Sequence, residues 1–427
     1  MKKIFLFMII SLFAVALIGC GDKESQDKPD TKTKYTLTVW GSQEDQAMLK
    51  EMCQAYAKAN PQNEYKFLFG VQSEADAADK VLNDVSVGPD VFSFASDQIN
   101  KLIAGGALAR IGGANETTIK EINSQGSVDA CTVTMNGEDR LYAYPCTGDN
   151  NYFVYYDKRV FTDTSKLATL DSMLETANAA GKKVHFKLND DGWYLSSFFF
   201  TNPELKYNVT YNENMVEQSV TINYDNAAGL DVMKSLRTYL GHASLVAQTD
   251  DSKIIAAFTP DADGNLEAAA AITGVWNRKT IEGLLGENMG VCVLPKVTIA
   301  GESKQLSGYM GYKLVGVNGF SKNKGEAHKL AMWLTNEQNQ LKRFQDRGFG
   351  PTNKVVAGMD LVLNDPVISV ILEQAKFNRA QKAVPGNYWT PMGSLITEII
   401  TNYAAGQETS DETLQQLLDA TCAAIRK

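Results

Sequence analysis

Four of the five tryptophans sit beside glycine or proline where a strand or helix should end: Trp40-Gly41, Gly192-Trp193-Tyr194, Gly274-Val275-Trp276 and Tyr388-Trp389-Thr390-Pro391. Carboxylates fall close to the predicted loops that carry them, at Glu44, Asp97, Asp149 and Asp191. Flat indoles suit the apolar C–H faces of a sugar ring. Carboxylates suit its rim of hydroxyls, because charge-assisted hydrogen bonds are the stronger kind. Taken as a set, these residues point to carbohydrate recognition. Each alone has a plainer alternative. Any one tryptophan could be core, and any one acid a solvated loop group or a helix cap, Asp97 above all. The fifth tryptophan, Trp333, lies inside a helical pattern and reads as core.

Other chemistry is poorly provided for. The chain has no GxSxG, no HExxH, no GxxxxGK[ST] and no GxGxxG after a strand. Its three histidines, 185, 242 and 328, are far apart, so neither a metal site nor a cofactor is expected. Five cysteines besides Cys20 stand at 53, 131, 146, 292 and 422. Odd in number and without a CxxC, they read as small buried apolar residues, with a Cys131–Cys146 bridge left open. A net charge of −9 argues against nucleic acid as a partner, since phosphate binding needs a basic surface.

The elements that must hold these residues begin after an export signal. Lys2 and Lys3 precede apolar runs from Ile4 to Ile10 and from Leu12 to Ile18. The run ends in Leu17-Ile18-Gly19-Cys20, which resembles the bacterial lipoprotein signal. That resemblance implies loss of residues 1–19 and acylation of Cys20, with palmitate among the chains. A transmembrane anchor ending in a chance cysteine is the plainer alternative. Residues 20–34 are polar and read as a disordered tether. Beyond them, 44 % hydrophobic and 21 % charged residues describe an ordinary globular chain long enough for two or three domains.

From Tyr35 the pattern alternates. Strands are predicted at Tyr35 to Trp40, Tyr65 to Phe69 and Asp90 to Phe94, with helices between them and from Ile99. This is an α/β arrangement with a mainly parallel sheet, whose ligand would sit beyond the carboxyl ends of the strands. That rule points at Gly41 to Glu44 and at Ala95 to Asp97. Further on, Tyr207 to Tyr224 reads as a hairpin, Ala268 to Thr273 as a buried strand and Glu326 to Phe344 as one amphipathic helix. Thr409-x-x-Glu412 reads as the capping box of the last helix.

At these residues the chain resembles the bacterial extracellular solute-binding proteins of ABC sugar importers, the family that contains the maltose/maltodextrin-binding proteins. The resemblance runs over nearly all of Tyr35 to Lys427. It is carried by Leu37-Thr-Val-Trp40, Pro89-Asp-Val-Phe92 with Gly106-Ala-Leu108, Tyr144-Pro145 through Tyr156-Asp-Lys158, Gly274-Val-Trp276 and Trp389-Thr-Pro-Met392. It implies two α/β lobes around a hinge and an interlobe ligand cleft, the chain crossing near Cys146, Tyr309 and Thr352. One lobe would hold 35–146 and about 310–355, the other 147–309 and about 356–427. The ligand-contacting positions it implies are Trp40, Gln43, Glu44, Phe94, Asp97, Gln98, Asp149, Asp191, Trp193, Tyr194, Trp276, Tyr309 and Trp389.

Three positions depart from the family pattern. Phe94 stands for a tryptophan, Gln98 for a basic contact and Asp45 for a lysine, which implies a weakened subsite beside Phe94 and Gln98. The expected molecule is a monomeric receptor, lipid-anchored on the extracytoplasmic face of the cell membrane. It would pass an oligosaccharide, of maltodextrin type, to permease subunits. A receptor for a different solute and a surface glycoside hydrolase using a carboxylate pair are the competing readings.

Overall fold

The computed structural model describes residues 32–427, so the signal segment, Cys20 and most of the tether lie outside the described residues. Two sheets organise the chain. In the first, Thr33–Gly41 pairs in parallel with Asn63–Val71 and with Val91–Ala95. Tyr309–Val317 then joins Val91–Ala95 antiparallel and carries Tyr144–Asn150 on its other side. The sheet is therefore mixed rather than mainly parallel, because its remaining strands arrive from distant parts of the chain. Leu37, Val39, Phe92, Phe94 and Leu314 are buried in its core with Met52 and Leu330 from the covering helices Gln46–Ala59 and Lys324–Leu334.

The second sheet runs Leu245–Ala247, Lys183–Phe186, Ala268–Gly274, Tyr152–Asp157, Met289–Cys292. Every residue of Tyr152–Asp157 is buried, as a strand covered on both faces must be. Tyr152, Val154 and Tyr156 enter one core, Phe153 and Tyr155 the other. The molecule is thus two-lobed. Its chain leaves the first sheet at Asn150 and enters the second at Tyr152. The returning strand begins in one lobe's core with Tyr309 and ends in the other's with Val315 and Val317. A third passage follows helix Glu337–Arg347, which Gly348 ends in the left-handed conformation at φ +73°. Gly148 N then donates to Gly350 O at 2.8 Å. Beyond it, Val356, Val367, Ile368 and Ile371 pack on the second sheet.

Two local expectations are corrected. The single helix over 326–344 is two, Lys324–Leu334 and Glu337–Arg347, because the Asn336 side chain caps the second by accepting from Asn339 N. The last helix, Asp411–Ile425, is capped by Ser410 accepting from Thr413 N, one residue later than the Thr409 box. All five described cysteines are free, and all but Cys292 are buried.

Candidate functional site

The carboxyl ends of the first sheet's strands end in short 3₁₀ turns, Gln43–Asp45 and Ser96–Gln98. Gln43 and Glu44 are exposed on the first. Its third residue turns inward instead. Asp45 is buried and receives Arg343 Nη1 at 3.3 Å and Arg347 Nε at 3.0 Å. On the second turn Asp97 stays partly exposed while Gln98 is buried.

The second lobe supplies the aromatics. Asp191 caps helix Gly192–Phe199, accepting from Trp193 N at 3.0 Å and Tyr194 N at 3.4 Å, and so fixes Trp193 in the first turn. Helix Trp389–Ser394 packs on it so closely that a Cβ at Gly192 would stand 2.6 Å from Trp389 O. Trp276 folds back over its own strand end, where a Cβ at Gly274 would strike the indole at 2.2 Å. Glycine is required at both places. Trp193 and Trp276 lie with ring centroids 5.8 Å apart, and Tyr152 packs beside Trp193 at 4.6 Å. Trp389 stands edge-on against Tyr309 at 5.3 Å and Tyr388 at 5.1 Å.

A polar network holds these rings. Trp276 Nε1 donates to Asp251 Oδ2 at 2.9 Å and Thr273 Oγ1 to Asp251 Oδ1 at 2.7 Å. Lys187 Nζ lies between Asp191 at 3.4 Å and Asp251 at 3.5 Å. Burial works to lower the Lys187 pKa, but Asp251 and Asp191 outweigh it, so the amine is held charged. Burial raises the Asp191 carboxyl, opposed chiefly by Lys187. Trp193 Nε1 is buried without a hydrogen-bond partner among the described residues.

Across from them, Asp97 Oδ1 accepts from Gln381 Nε2 at 2.9 Å, with Trp389 close by. Asn150 Nδ2 donates to Gln381 Oε1 at 2.9 Å, tying this contact to a chain crossing. Burial pushes the Asp97 carboxyl up to about 6, against Lys101, Trp389 and Gln381, which pull it down. Stability that is present below the ordinary carboxylate value, 3.8, is therefore lost as pH rises to about 6. Asp97→Asn removes that loss. Its melting temperature should gain on the wild type between pH 4 and about 6 and run parallel above. A difference independent of pH would show that Asp97 titrates as an ordinary carboxylate.

The structure thus brings together Trp193, Trp276, Trp389, Asp97 and Asp191. Other implied contacts lie deeper or are engaged within the protein. Phe94 is 0 % exposed, inside the first core against Phe92. Its strand is covered on both faces, so a two-residue period does not tell which face meets a ligand. Gln98 accepts from Ala78 N and donates to Glu74 O and Ala75 O, leaving its amide spent on backbone. Tyr194 and Tyr309 are buried in the second lobe's core, the latter bonded to the Tyr207 hydroxyl at 3.0 Å. Asp149 is fully buried and accepts from Gly350 N at the third passage. Trp40 packs partly buried against the first core. Lys187, Asp251 and Gln381 escaped the sequence reading, since nothing in their spacing separates them from solvated polar residues. Among the described residues, no three His, Cys, Asp or Glu side chains gather as a metal requires.

Comparison with known proteins agrees with this architecture. The family model described as bacterial extracellular solute-binding protein matches residues 51–369. The galactooligosaccharide-binding protein of Bacillus subtilis (strain 168) is 24 % identical over 424 residues, covering 97 % of this chain and 96 % of its own. A solved structure with acarbose superposes with a TM-score of 0.78 at 30 % identity, over 92 % of this chain and 99 % of its own. The ligand-free maltodextrin-binding protein MalE1 of L. casei BL23 superposes at 0.71 with 19 % identity, over 93 % and 100 %.

Proposed function

The chain belongs to the bacterial extracellular solute-binding proteins, and from that premise we propose that it captures an oligosaccharide of maltodextrin type for an ABC importer. One observation carries the reading. Trp193 and Trp276 are paired, Trp389 stands on the adjoining helix, and Asp191 and Asp97 border them. Sugar faces stack on such rings and sugar hydroxyls donate to such acids. The acarbose structure supports the α-glucan class. The Bacillus subtilis relative, matched over almost its whole length, favours a second reading in which galactooligosaccharides occupy the same cleft.

Binding would close the lobe of 35–146 and about 310–355 onto that of 147–309 and about 356–427. The closed form would then dock on the permease. Family membership implies an extracytoplasmic location, and among the described residues no helix is long and apolar enough to cross a membrane. Attachment through acylated Cys20 completes the proposal. It requires that wild type, but not Cys20→Ala, enter the detergent phase on partition. The functional test is calorimetric titration with maltose, maltotriose, longer maltodextrins and galactooligosaccharides. Maltotriose should bind more tightly than maltose, since it reaches more than one indole. Binding of galactooligosaccharides alone would establish the second reading, and silence across both series would overturn the oligosaccharide class.

A further inference from the structure

We propose that Lys313 is a ligand-contacting, specificity-determining residue of the cleft, its ammonium donating hydrogen bonds to hydroxyl or ring oxygens of the bound sugar. This rests on the oligosaccharide reading. Lys313 lies on the returning strand Tyr309–Val317, opposite Ala95 and Thr147. It is therefore level with the carboxyl end of Val91–Ala95, two residues short of Asp97. Only 7 % of the residue is exposed. Its Nζ lies 4.5 Å from the Phe349 ring centre and 5.6 Å from that of Trp276, the ring offered by the opposite lobe. The nearest carboxylate oxygen, Glu74 Oε2, is 3.8 Å away, too far for a good hydrogen bond.

Among the described residues that ammonium makes no hydrogen bond, and a lysine head carries three protons to donate. Burial lowers its pKa, but Glu74, Asp45 and Asp149 outweigh that and keep it charged. The surrounding groups explain why a donor is wanted there. Asp97 and Asp191 are acceptors. Gln98 is spent on backbone, and Asp45 is turned away onto Arg343 and Arg347. A ring stacked on Trp276 comes within reach of a cation already seated over that indole.

The test is calorimetric titration of the full-length protein with maltotriose, using galactooligosaccharides instead if only they bind the wild type. Lys313→Met should raise Kd about 10- to 100-fold, the effect of losing a charge-assisted hydrogen bond. The double variant Lys313→Met/Glu74→Gln leaves no uncompensated acid beside the deleted amine, which also guards against loss of folding. It should remain as weak as Lys313→Met. Wild-type affinity in Lys313→Met, or its recovery in the double variant, would show that the lysine only balances Glu74 and would overturn this inference alone. A wild type silent to both sugar series would overturn the oligosaccharide reading and this inference with it.

Discussion

Truncation of Trp276 or Trp389 to alanine is expected to weaken oligosaccharide binding about 30-fold or more each, equivalent to about 2 kcal/mol. Both indoles are only partly buried. Both are also held from behind. Trp276 is fixed by Asp251 through its Nε1, and Trp389 by edge contacts with Tyr309 and Tyr388. A platform held in this way loses little freedom when it stacks on a sugar, which is why its removal should cost affinity out of proportion to its area. The effect on the unliganded fold should be smaller for Trp276, whose ring packs against fewer buried aromatics than that of Trp389. Trp→Phe variants should recover part of the affinity by restoring a narrower platform. Calorimetry of the four variants, with melting curves taken without sugar, checks this. Normal affinity in the folded fraction of both alanine variants would place these rings in the core rather than the site.

Loss of Asp45 is expected to destabilise the protein by about 3–5 kcal/mol, the cost of breaking a buried ion pair from one side. Its carboxylate accepts from two guanidinium groups, and the nearer surroundings of Arg343 are closed to water at 3 % exposure. Asp45→Ala would leave the buried Arg343 with the Met52 sulfur at 4.0 Å as its remaining side-chain contact and only the more distant Glu74 and Asp149 to balance its charge. Urea denaturation reads the result directly as a fall in midpoint at unchanged slope. A change below about 1 kcal/mol would show that water, or the neighbouring acids Glu74 and Asp149, makes good the loss. Placed by family pattern beside the ligand, Asp45 acts instead between the first turn and helix Glu337–Arg347.

That displacement illustrates what the amino-acid order reveals and what it hides. The strand Thr33–Gly41, the hairpin Tyr207–Tyr211 with Glu217–Ile222 and the buried run Ala268–Gly274 were legible because local propensity and periodicity decide them. Trp193, Trp276 and Trp389 could be singled out because each stands within two residues of a glycine or proline at an element's end. Which face Phe94 takes was not legible, because both faces of its sheet are covered. The roles of Lys313, Asp251 and Gln381 were not legible either, since each depends on partners from strands and helices far away in the chain. Asn336 hid a helix break inside an otherwise continuous apolar stripe, because one capping side chain outweighs the period around it.

The discontinuous first sheet also bears on how the chain is made. Val91–Ala95 has one neighbour, Thr33–Gly41, early in synthesis, but its other partner is Tyr309–Val317, far later in the chain. Until that late segment emerges, the first lobe presents an open strand edge flanked by the apolar Phe92 and Phe94. Such an edge is a template for intermolecular pairing. Closing it also requires a long-range contact whose entropic cost delays folding. A nascent chain of this design is therefore exposed to aggregation from the synthesis of Val91–Ala95 until that of Tyr309–Val317. It gains from being held unfolded until complete, which is also the state in which an exported polypeptide is threaded through a membrane.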